Sequence, residues 1–134
     1  MTTTYAELFQ KLTASEKIHL ALFPEQAAVI KRSAQRALLE SELRFPASRR
    51  NTPGDAFRHC FWSALLARDI GYAGALRYTN AHEAFPDNPP DEKAMDLHNN
   101  AVGLSIGRYG GPNQILILRC VDALRTGRLK IIER

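Results

Sequence analysis

Asp55 and His59 stand one helical turn apart, His82 and Glu83 are adjacent, and Asp96 is followed at helical spacing by Asn99 and Asn100. Carboxylates and imidazoles of this kind perform general acid/base catalysis or hold a metal ion. A carboxylate four residues before a histidine can orient the imidazole and select its tautomer, or both can reach one cation. His59, Asp55, His82, Glu83 and Asp96 are therefore the expected catalytic set. His59, His82, Glu83 and Asp96 are the expected ligands if a divalent metal ion is the cofactor. Arg58 can pair with a phosphate or a developing anion, and Asn99 or Asn100 can donate hydrogen bonds to it. With Trp62 these residues form the expected substrate-binding set.

Each residue also has a plainer reading. Asp55 can cap a helix and His59 can be a satisfied core histidine. The Asp/Asn row can be a buried network that fixes packing, and Arg58 a structural ion pair. His-Glu pairs are common by chance, and adjacent helical residues point about 100° apart, so His82 and Glu83 address one site only if the helix frays there. The signal gains weight from the combination. A zinc-type cysteine pair, a P-loop, a Gly-x-Ser-x-Gly elbow and a His-Glu-x-x-His motif are all absent, so a serine or cysteine nucleophile is not indicated.

Five to six helices must position these groups, in an all-α fold of one compact domain spanning residues 1–134, with the motifs between residues 50 and 108. Short Pro/Gly/Asn clusters divide the chain into helix-length pieces, and neither repeats nor low-complexity stretches interrupt them. Thr4 caps an expected first helix carrying Tyr5, Leu8, Phe9 and Leu12; Ser15 with Glu16 opens a short second one. Pro24 to Arg44 reads as the longest helix, with Ala27, Ile30, Ala34, Ala37 and Leu38 on its inner side. After a loop holding Pro46, Pro53 and Gly54 come Asp55 to Asp69, Ala73 to Glu83, Asp91 (as the cap) to Ile106, and Asn113 to Arg125. The segment from Leu129 to Ile132 reads as a short strand or an extended cover.

Two of these helices turn polar groups the wrong way. The central one carries Phe57, Cys60, Phe61, Ala64 and Leu65 on one face, yet its opposite side holds Asp55, His59, Trp62 and Leu66 instead of lysines and glutamates, so both sides are expected to be covered. In the later helix Asp96, Asn99, Asn100, Gly103 and Gly107 form a polar row, flanked by Leu97, Ala101 and Leu104 on one side and Met95, Val102 and Ile106 on the other. A polar row that bisects an apolar surface points inward. Its glycines let another backbone approach, and His98 with Ser105 falls on the outer side.

A net charge of +4 and a pI near 9.3 favour polyanions (phospholipid, nucleic acid or cell wall) without choosing among them. No apolar run reaches the length of a membrane span. The N-terminal Met-Thr-Thr-Thr-Tyr-Ala-Glu lacks the basic start and apolar core of a signal peptide, so synthesis in the cytoplasm is expected. Cys60 and Cys120 sit among apolar residues, as buried reduced thiols do.

The stretches Asp55-Ala-Phe-Arg58-His59-Cys-Phe-Trp62, His82-Glu83 and Met95-Asp96-Leu-His-Asn99-Asn100-Ala-Val-Gly103 resemble a poorly characterised family of small helical bacterial domains, with the pattern D-A-x-R-H-x-x-W, H-E and M-D-x-x-N-N-x-x-G. Such domains look like toxin modules of polymorphic toxins or small contact-dependent effectors. The resemblance implies interbacterial competition, a cognate immunity protein or secretion-system carrier as partner, and delivery into a target cell by a specialised secretion system. The leading expectation is a bacterial toxin or effector hydrolase acting on phospholipid or another phosphodiester. Peptidoglycan degradation with Glu83 as the acid, and a non-enzymatic adaptor or immunity-type protein, are the alternatives. Nucleic-acid binding needs a larger basic cluster than Arg44, Arg49 and Arg50.

Overall fold

Prolines and small polar residues mark the helix starts in the computed structural model, which describes residues 11–132. Helix α1 (Ala14–Leu22) is capped by Thr13, whose hydroxyl accepts from the Glu16 N–H at 3.0 Å while the Glu16 carboxylate accepts from the Thr13 N–H at 2.9 Å. The cap is thus two residues earlier than Ser15. The expected first helix, with Thr4, Tyr5, Leu8 and Phe9, lies outside the described residues. A 3₁₀ turn (Pro24–Gln26) leads into α2 (Ala27–Arg44).

Pro53 occupies the first turn of α3 (Pro53–Ile70), where its missing N–H costs nothing. Helix α4 (Tyr72–His82) follows, then α5 (Pro90–Gly107) and α6 (Asn113–Arg125). Pro89, not Asp91, is the N-cap of α5; Asp91 lies within the first turn and accepts from the Glu92 N–H. Among the described residues the fold is all-α, with six helices and no strand. Leu129 to Ile132 forms neither helix nor strand, and within it Leu129 is buried.

Helix α3 is the hub, packed against α2, α4, α5 and α6. It is buried nearly all round, from Phe57 and Phe61, which stack at 5.8 Å, to Asp55, His59 and Trp62 on its other side. Phe57, Phe61, Leu66, Met95, Leu104, Leu116 and Ile117 fill the core, and Cys60 and Cys120 meet there as free thiols with sulfurs 3.1 Å apart.

The inner side of α2 differs from expectation. Ile30, Ser33, Ala37, Glu40 and Ser41 are buried, whereas Ala27, Ala34 and Leu38 are exposed. Small serines let α2 lie close to α3, and the Ser41 hydroxyl donates to the Gly54 carbonyl at 3.1 Å. Glu40 is tolerated on that side because Arg36 and Arg44 flank it at 3.0 and 3.6 Å.

The crossing of α3 and α5 is closer still. A Cβ on Gly103 would stand 2.1 Å from the Cys60 carbonyl oxygen, and one on Gly107 2.0 Å from that of Ala64. Only glycine permits this approach, and it brings residues 96 and 100 of α5 against residues 55 and 59 of α3.

Candidate functional site

The inward rows of α3 and α5 meet at His59. Its Nε2 lies 3.4 Å from Asp55 Oδ1 and 3.4 Å from Asp96 Oδ1. Its Nδ1 lies 3.3 Å from Asn100 Oδ1 and 3.8 Å from Glu83 Oε2. Asn100 donates its amide N–H to Glu83 Oε2 at 3.2 Å, which turns the amide oxygen toward the imidazole. That oxygen can only accept, so the network places a proton on His59 Nδ1, while Nε2 faces the two aspartates, which also only accept.

Asp55 is held on both oxygens. Arg58 donates to Oδ1 at 2.8 Å, and the backbone N–H of Asn51 donates to Oδ2 at 2.7 Å. Asn51 delivers that N–H from a left-handed conformation, φ +67°, which asparagine tolerates better than most residues. Burial alone would raise the Asp55 pKa; His59, the Asn51 N–H and Arg58 overcome it and hold the carboxyl well below the usual range. Asp96 goes the other way. Burial, together with the charges of Glu83 and Asp55, outweighs the attraction of His59 and Arg58, and pushes it up to about 6. Asp96 Oδ1 is buried and makes no hydrogen bond, since its contact with His59 is long and poorly aligned.

The site reaches solvent at one edge. The side chains of His59 and Asp55 are each 7% exposed and that of Asp96 12%, whereas Arg58 is 39% exposed at the rim. Glu83 is fully enclosed behind the imidazole. Two concavities lie elsewhere: one of about 420 Å³ includes Arg32, Arg36 and Arg68 of α2 and α3, and one of about 350 Å³ runs between α1 and α4.

Of the residues singled out in the sequence, Asp55, Arg58, His59, Glu83, Asp96 and Asn100 converge. His82 does not join them. Helix α4 holds its form to His82, so His82 and Glu83 diverge as adjacent helical residues should, Glu83 toward His59 and His82 toward α1. There its Nδ1 lies 3.2 Å from Glu16 Oε2, which also accepts from the Tyr78 hydroxyl at 2.6 Å. Burial would lower the His82 pKa, but Glu16, helped by Glu83, more than reverses this and raises it; Glu16 is lowered in turn despite its own burial.

Trp62 is a core residue, 7% exposed, with its ring edge-on to His82 at 5.0 Å and to Tyr78 at 6.2 Å. Asn99 faces neither cluster. Its amide clasps the backbone of Lys130, accepting from the N–H at 2.7 Å and donating to the carbonyl at 2.9 Å. His98 lies outside with an Nε2 contact to the Arg128 carbonyl at 2.8 Å. Glu16 does not stand out in the sequence, where with Ser15 it reads only as a helix opener; the capping box uses only one of its two oxygens.

Among the described residues, Asp55, His59 and Asp96 form a group whose donor atoms all lie within 4.8 Å of one another, a geometry able to hold a metal ion. No helix among them is long and apolar enough to cross a membrane. Residues 17–127 match the family described as Domain of unknown function (DUF6973). No solved structure matches the chain.

Proposed function

The chain belongs to that DUF6973 family, and from the centre between α3 and α5 we propose that it is a hydrolase of phosphodiester bonds, phospholipid among them, acting as a toxin or effector on a competing cell. The observation that carries the reading is the convergence of Asp55, His59 and Asp96 from two helices, with one Asp96 oxygen left unpartnered and a half-exposed arginine at the rim. A packing network completes its hydrogen bonds; this one keeps lone pairs available.

In this reading the lone pairs of the centre withdraw a proton from water, the hydroxide attacks phosphorus as the bond to the leaving oxygen breaks, and the centre returns the proton to that oxygen, which departs as an alcohol. Arg58 pairs with the non-bridging oxygens, whose charge grows in the transition state. Asn100 fixes the imidazole, and Glu83 stands behind the ring. Glu83 is too enclosed to serve as the acid on a polysaccharide, which favours the phosphodiester over peptidoglycan. The resemblance of the three motifs to toxin domains supports delivery by a secretion system and neutralisation by an immunity protein in the producing cell.

The test is expression of wild type and His59→Ala in the cytoplasm and in the periplasm of a bacterial host, followed by analysis of lipids, wall fragments and nucleic acids. Wild type should arrest growth in one compartment with accumulation of lysed phosphodiester products, and His59→Ala should not. Equal harmlessness of both proteins in both compartments sinks the proposal.

A further inference from the structure

The charge balance around His59 points to something the protein itself does not supply. Three carboxylates, Asp55, Asp96 and Glu83, surround one guanidinium and one imidazole. Even with protons on both ring nitrogens, negative charge exceeds positive in a largely buried place, where unpaired charge is costly. Hydrogen bonding is unbalanced in the same sense. Both His59 nitrogens face acceptors only, and Asp96 Oδ1 is buried without a donor. A cation at Nε2 answers all three deficits together.

The spacing agrees. Bonds of about 2.1 Å from a zinc-type ion at the tetrahedral angle set donor atoms about 3.4 Å apart. His59 Nε2 lies 3.4 Å from Asp55 Oδ1 and 3.4 Å from Asp96 Oδ1, and one carboxylate oxygen of each aspartate lies within 4.8 Å of the other's. The outer contacts suit a ligating histidine as well, because Nδ1 is turned to Asn100 and Glu83 while Nε2 is free to bind. Arg58 and the Asn51 N–H hold Asp55 in place.

We infer that Asp55, His59 and Asp96 bind one divalent transition-metal ion of zinc type through Nε2 and one oxygen of each aspartate, leaving the fourth position open to water or a phosphate oxygen. The ligand set differs from that expected in the sequence: Asp55 enters, His82 leaves, and Glu83 acts on the ligand rather than the metal. The inference rests on the hydrolase reading only for its use. With the ion in place, Nε2 is a ligand and activation of water passes to the cation, while Arg58 keeps its role.

The experiment is titration of chelator-treated full-length protein with Co²⁺, read by visible absorption, and competition with Zn²⁺. Wild type should bind one equivalent with the intense bands of a four-coordinate site. Asp96→Asn and Asp55→Asn, each checked for helicity by circular dichroism, should bind at least about tenfold more weakly, and Asn100→Ala about 10–100-fold more weakly through the imidazole. His82→Gln should bind as wild type does. Absence of Co²⁺ and Zn²⁺ binding by wild type, or binding that survives Asp96→Asn but is lost in His82→Gln, overturns the site. Growth arrest by wild type but not His59→Ala in the face of that result leaves the hydrolase reading standing on proton transfer alone.

Discussion

The molecule holds two histidine–carboxylate clusters, one on either side of the C-terminal end of α4, where His82 faces one and Glu83 the other, and they differ in completeness. At His82 the account closes: Glu16 receives the Thr13 N–H, the Tyr78 hydroxyl and the imidazole, and no oxygen is left over. At His59 it does not close, because acceptors outnumber donors and Asp96 Oδ1 has none. The same residue types therefore serve two ends. A satisfied set ties α1 to α4, whereas an unsatisfied one stands ready for a ligand.

Substitutions can break this contrast, and the largest effect is expected where the His59 cluster is built rather than within it. Gly103→Val forces a side chain into the Cys60 carbonyl and should cost about 4 kcal/mol or more, read as a loss of cooperative thermal unfolding. Glu16→Ala strips three donors of their acceptor and should destabilise by about 2–3 kcal/mol in denaturant titration. Asp96→Asn should act with the opposite sign. It removes a carboxylate crowded by two others while keeping its shape, so metal-free protein should gain about 1 kcal/mol and lose its function. A destabilised Asp96→Asn protein would show that the two clusters are alike after all.

The pH dependence sharpens the comparison. Glu16, lowered from 4.5, contributes stability that is present above that value and is lost as pH falls through its folded pKa. His82, raised from 6.5, contributes stability that is present below that value and is lost as pH rises through its folded pKa. Tyr78, Glu83 and Arg58 are the other groups around this pair. Its contribution should therefore be greatest between 4.5 and 6.5, and Glu16→Gln should flatten the melting temperature on both sides of that window. The smallest effect is expected at an exposed ion pair: Arg50→Ala, which breaks a 2.8 Å contact between a 65%-exposed arginine and Glu92, should change stability by less than about 1 kcal/mol.

The inward turn of α3 and α5 was legible because polar residues on a helix face bounded by apolar ones have few places to go. Met95, Asp96, Asn99, Asn100, Gly103, Leu104 and Ile106 are all buried, although the outer flank at Leu97 and Ala101 is not. Partners across the chain were not legible. Nothing near Glu16 announces that Tyr78 and His82 will meet it, and Asn99 could not be told from Asn100 until the backbone of Lys130 came to lie beside it. The inner face of α2 was not legible, because it does not follow the apolar residues. Serines and a paired glutamate took that side, and Leu38, Leu39 and Leu43 were left facing solvent.

Where α3 and α5 cross, main chain rests on main chain at two successive turns. A contact without side chains has no rotamers to adjust, so the spacing of the two backbones that carry the imidazole and its opposing aspartate is set by the rods themselves. Anything that enters meets a receptacle already of fixed width, and its capture should follow a single exponential with no slower rearrangement behind it.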